Sequence, residues 1–164
     1  MIVAVPDVPG RHILIVSWVG TALLAVTAGP ATVIPAMVPV AFAVAMTEFL
    51  AGCVVFVLAY IAGINRSRTH ALGIGGWFFL MGKVAPRSVS RHLVGSLVVQ
   101  VAISIATAAA RPFSTLAFGT LAPLLALSCC GWWGGRHGTF APKAGAGPTE
   151  RVRTAPVDQN APHG

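Results

Sequence analysis

Acidic residues are nearly missing from this chain. Among 164 residues only Asp7, Glu48, Glu150 and Asp158 carry a carboxyl group, and 9% of the residues are charged. Soluble domains carry about 25% charged residues, so too little polar surface is available to cover a water-facing globule. Glu48 stands alone between Asp7 and Glu150. Paired carboxylates for general acid–base work are therefore excluded over most of the chain. HExxH, GxSxG and phosphate-binding lysine motifs are missing as well, and no enzyme is expected.

Cysteine is equally sparse. Cys53, Cys129 and Cys130 all fall in apolar stretches, and an odd number in such places is not a disulfide framework. No CxxC or Cys/His spacing occurs, so neither a metal centre nor a cofactor is expected. His12, His70, His92 and His137 fall at or between the ends of apolar stretches, the usual place for interfacial histidines.

What the chain does have is hydrophobic length. It is 55% hydrophobic, with a mean hydropathy of +0.79. Uncharged stretches cover residues 12–47, 49–65, 93–110 and 112–135. A helix that spans a bilayer needs about 20 mostly apolar residues. Pro30, Pro35 and Pro39 break the first stretch, because proline removes a backbone donor and ends a helix. Four spans follow, near residues 12–30, 40–62, 90–110 and 113–133. Gly63 and Asn65 are expected to end the second, Ser88 or Ser90 to cap the third, and Pro123 to kink the fourth. A signal peptide is the rival for the first span, but Gly29 and Pro30 make a poor context after Val26 and Ala28.

The net charge of +7 suggests nucleic acid only if position is ignored. Ten of the eleven basic residues fall at the N-terminus, between residues 63 and 92, or beyond 135; Arg111 is the exception. Short loops rich in Arg and Lys stay cytoplasmic. The expected location is therefore the inner (cytoplasmic) membrane, multi-pass, with both termini cytoplasmic. Anionic lipid headgroups are expected partners, and nucleic acid is not.

Residues 71–82 are apolar but too short to span, and Gly73, Gly75 and Gly76 weaken a regular helix. They read as an interfacial or shallow re-entrant segment on the cytoplasmic face. Arg66, Arg68, Trp77, Arg87, Arg91, Trp132 and Trp133 are the expected lipid-interface residues. Residues 138–164, rich in Pro, Gly and Ala, are expected to form a disordered cytoplasmic tail. The fold class is all-α: an integral membrane four-helix bundle over residues 1–137, followed by that tail.

Glu48 is the residue in most need of an explanation, because a carboxylate in hydrocarbon is costly unless paired, neutral or wet. Ala41, Ala45, Gly52, Ala59 and Gly63 share its helical stripe, and small residues mark close helix approach. On the third span Ser96, Gln100, Ser104, Thr107 and Arg111 fall on one face. Glu48 lies about 13 Å inward from Pro39, and Ser104 about 10 Å inward from Arg111. These depths predict that Glu48 faces the polar stripe, with Gln100, Ser104, Thr107 or Arg111 nearest. The expected function is an accessory or scaffold subunit of a membrane or envelope complex, with other membrane proteins or a second copy as partners. The alternative is a small transporter or channel-like protein with Glu48 as a proton- or cation-coupled site.

The stretch WFFLMGKVAPRSVSRHLVGSLVVQ, followed by ARPFSTLAFGTLAP and WWGGRHGTF, resembles small four-span conserved membrane proteins of actinobacteria. The resemblance covers the last two spans and their flanks. It implies architecture and location and carries no functional residue across.

Overall fold

The structure is a computed structural model that describes residues 9–68, 70, 73–81 and 84–141. Among these residues it is helical, with five α-helices and two 3₁₀ segments. α1 spans Arg11–Ala31, α2 Val38–Ser67, α3 Ile74–Phe78, α4 Arg87–Ala110 and α5 Leu124–His137. A 3₁₀ turn at Pro35–Met37 leads into α2, and a 3₁₀ segment at Thr115–Leu121 leads towards α5. Four helical stretches are long and apolar enough to cross a membrane: Arg11–Ala31, Pro35–Ser67, Arg87–Ala110 and Thr115–His137.

The boundaries differ from expectation in three places. α2 runs on to Ser67, and Gly63 lies buried within it instead of ending it. α4 starts at Arg87 directly after Pro86, whose extended backbone sets the entry; neither Ser88 nor Ser90 caps it. The fourth stretch is a 3₁₀ segment that meets an α-helix at Pro123, not one kinked helix. There Ser114 takes the capping role, its hydroxyl accepting from the Leu116 amide at 3.3 Å.

Successive long helices alternate in direction. At one end the Trp133 indole donates to the Pro9 carbonyl, and the Thr139 amide donates to the Val84 carbonyl. The Arg66 guanidinium donates to the carbonyls of Gly135, Arg136 and Gly138 and lies over the Phe140 ring. At the other end Arg111 Nε donates to the Thr32 carbonyl at 2.9 Å. Arg11, Arg66, Arg68, Arg87, Arg91 and Arg136 thus gather at one end, and Arg111 lies at the other.

The first residues assigned to the tail are held by these contacts, because Thr139 and Phe140 are tied to Val84 and Arg66. Residues 142–164 lie outside the described residues. Arg66 satisfies the open carbonyls at the end of α5, where a cation also complements the helix dipole. Arg66→Ala is therefore expected to cost about 2 kcal/mol, the worth of hydrogen bonds to a charged group. Hydrogen exchange should locate the loosening in the last turn of α5.

α3 packs on α5. Trp77 and Phe78 are buried, and the Trp77 indole donates to the Gly131 carbonyl at 2.9 Å. A Cβ on Gly63 would fall inside the Trp77 ring, and one on Gly131 would overlap Phe78. The glycines of α2 and α5 thus open a slot for two aromatic rings. Trp77 and Trp133, expected at the lipid interface, are core residues, because each indole finds a carbonyl partner inside the protein. Trp132 stays half-buried, beneath Arg136. Of segment 71–82, residues 71, 72 and 82 lie outside the described residues.

The interior is layered. One apolar cluster includes Ile13, Leu14, Val89, Leu93, Cys129, Cys130 and Trp133. A second includes Leu24, Ala28, Ala31, Ala41, Ala45, Leu116 and Ala122. The buried polar side chains of α1, α2 and α4 lie along their helices between these clusters or beside them.

Candidate functional site

The polar layer draws on three helices. α1 buries Ser17, Gly20 and Thr21; α4 buries Ser96, Gln100, Ser104 and Thr107. On α2 the buried set is Ala41, Ala45, Glu48, Gly52, Ala59 and Gly63, so Glu48 shares its face only with small residues. That face packs chiefly on α5, while α4 packs chiefly on α1. Ser128 Oγ donates to the Gly52 carbonyl at 2.8 Å. Ser17 and Ser96 join α1 to α4 through a hydroxyl–hydroxyl bond of 2.5 Å.

Gly20 is where the layer closes on Glu48. The position a Cβ would occupy there lies 3.6 Å from Glu48 Oε1 and 3.3 Å from Gln100 Nε2. Glu48 therefore points towards the polar stripe, over the gap that Gly20 leaves in α1. The expected partners do not bond to it. Neither Glu48 oxygen, neither end of the Gln100 amide, nor the Ser104 hydroxyl has a hydrogen-bond partner among the described residues. Thr107 bonds back to the Ile103 and Ser104 carbonyls. Arg111 is committed to Thr32 and makes no ion pair with Glu48. The physical reason is topological: α1 and α5 lie between α2 and α4, and the Arg111 side chain finds the open end of α1 first.

This arrangement is unusual for a buried carboxylate. Glu48 is 5% exposed, and burying a polar group without a partner costs about 1–3 kcal/mol. A structural clamp within the chain would show the bonds that repay this cost. Unused among the described residues are the Glu48 and Gln100 oxygens, the Gln100 amide nitrogen and the Ser104 hydroxyl, which can donate as well as accept.

Glu48 also borders the outer surface, although both of its carboxyl oxygens are buried. Two clefts open beside it between α1 and α2, of about 450 and 270 Å³. Leu23, Thr47 and Glu48 line both, so they form one groove. Among the described residues Glu48 is the only ionisable one lining either. Sequence reasoning missed the α1 side of the site, Ser17 and Gly20. The signal was present in the spacing of Ser17, Gly20, Thr21, Leu24, Thr27 and Ala28, which repeats the steps of three and four that mark one helical face.

The remaining candidates sit apart. Arg68, Arg87 and Arg91 are exposed near the basic end. Among the described residues no three His, Cys, Asp or Glu side chains converge. No protein-family model matches the chain, and no curated protein or solved structure matches it either.

Proposed function

We propose that this chain is a non-enzymatic, multi-pass protein of the inner membrane that acts as an accessory or scaffold subunit, docking sideways onto another membrane protein. The observation that carries this reading is Glu48: buried, without a hydrogen-bond partner among the described residues, and lining a lateral groove. An intramembrane carboxylate is tolerated when something meets it, and polar residues act as glue between membrane helices. Orientation rests on the basic end, which by the positive-inside rule faces the cytoplasm together with both termini. Its exposed arginines suit anionic headgroups.

Two experiments test this. A periplasm-only reporter fused at residue 35 should be active, and the same reporter at residue 164 silent. The reverse pattern overturns the orientation. A photo-crosslinking residue at Val19 or Ala43, which line the groove, should give a discrete protein adduct in intact membranes. The same residue at Val98 or Ile105, on the exposed face of α4, should give none. Equal adducts from both faces would remove the case for a docking groove. The unused oxygens of Gln100 and Ser104 favour a second reading, a proton or cation relay through Glu48. It calls for ion movement into vesicles that depends on Glu48 and needs no other polypeptide.

A further inference from the structure

We propose that the groove between α1 and α2 receives a transmembrane helix carrying one lysine or arginine near mid-membrane, whose cation meets Glu48. This rests on the docking reading above and names the chemistry of the partner.

Three observations converge. The groove is long enough for a helix: along α2 its lining runs from Pro39 to Ala51, about 18 Å at 1.5 Å per residue. Its floor suits close approach. Ala43, Thr47 and Ala51 are exposed on α2 at steps of four, the small-xxx-small pattern that lets helix backbones come together. The Thr47 hydroxyl folds back on its own helix, donating to the Ala43 carbonyl at 2.8 Å, so its donor is already used. Finally, Glu48 lies beside the stripe with both oxygens unpaired among the described residues.

Charge selects the occupant. A carboxylate in low dielectric attracts a cation strongly, and an ion pair repays burial when the geometry is close. The described residues offer no cation at that level, since Arg111 is bound to Thr32 and the other described arginines lie at the opposite end. A second copy would bring another Glu48, which repels. A lipid presents its charge at the interface, not at mid-membrane. A lysine on a helix seated over the stripe has a flexible four-carbon stem that reaches a recessed oxygen.

The test uses the full chain in phosphatidylcholine vesicles and a labelled synthetic leucine–alanine helix with a single central lysine. Energy transfer to the labelled chain reports binding. The lysine helix should bind about 30-fold tighter than the same helix with central leucine, the change expected for a buried charge pair. Glu48→Gln should erase that preference, and Ala43→Trp, which fills the stripe while leaving Glu48 in place, should weaken the lysine helix tenfold or more. Equal binding of lysine and leucine helices overturns the proposal, as does equal binding of a helix with central glutamine. Chain-to-chain transfer lost in Ala43→Trp would make a second copy the occupant and overturn it too. If the groove still crosslinks to protein in membranes while the lysine helix shows no preference, this inference fails and the docking function stands. If the groove gives no adduct, the docking function itself fails.

Discussion

Gly52→Leu is expected to prevent the chain from reaching a monodisperse folded state. A Cβ at Gly52 would lie 2.8 Å from the Leu125 amide nitrogen and 3.0 Å from the Leu124 carbonyl carbon. Those are backbone atoms of the facing helix, and no rotamer change moves them aside. A leucine must push α5 away from α2 along their principal contact, and the Ser128 bond to the Gly52 carbonyl goes with it. The loss should exceed about 3 kcal/mol, the upper range for overpacking a closed interface. Gly29→Leu is the control. Nothing lies within 4 Å of a Cβ there, so the same change should leave the yield and thermal midpoint of purified protein unaltered. Normal behaviour of Gly52→Leu would mean that α2 and α5 are not packed through this glycine.

Glu48→Leu should leave the isolated chain as stable as the wild type or raise its stability, by about 1–3 kcal/mol. The substitution removes two oxygens that are buried without partners, and leucine fills similar space against the Gly20 gap. Replacing an unsatisfied polar group by an apolar one of like shape lifts a desolvation penalty. Glu48→Gln should be close to neutral, because an amide in the same place gains no new partner. Reversible unfolding in detergent measures both. A loss above about 1 kcal/mol in the leucine variant would mean that Glu48 holds the chain together after all. On the docking proposal the same substitution should lose the partner, the pattern of residues kept for binding at the expense of the free fold.

The inward face of α2 was legible because small residues recur at helical spacing around one charge, and the structure buries Ala41, Ala45, Glu48, Gly52, Ala59 and Gly63. The polar face of α4 was legible for the same reason: Ser96, Gln100, Ser104 and Thr107 sit in register and are all buried. Which helix each face meets was not legible. Depth along the helix puts Glu48 level with Ser104, but depth carries no information on order around the core. α1, with Gly20 at the crossing point, and α5 occupy the space between. Arg111 illustrates the same limit: charge matching suggested Glu48, whereas the open carbonyl end of α1 is nearer and accepts its Nε.

Trp77 and Trp133 depart from expectation for a different reason. Trp77 and Trp133 have the composition of an interfacial belt, and composition does not reveal a slot. The slot exists because Gly63, Gly131 and Gly134 together remove the side chains that would fill it. Each glycine looks like an isolated helix weakener in the sequence. Gly10 is a comparable case. Its backbone takes a left-handed conformation, φ +79°, and a Cβ there would strike the Trp133 indole. The Pro9 carbonyl can therefore reach the indole nitrogen only because the next residue is glycine.

On the proposed reading Glu48 is kept for a partner and not for the fold. The most direct measurement is purification of wild type and Glu48→Leu in mild detergent, with the composition and mass of each particle determined. Wild type should co-elute with a second polypeptide in fixed ratio, and Glu48→Leu should elute folded and alone. Wild type that elutes by itself, and that carries protons into vesicles only while Glu48 is intact, would contradict that reading.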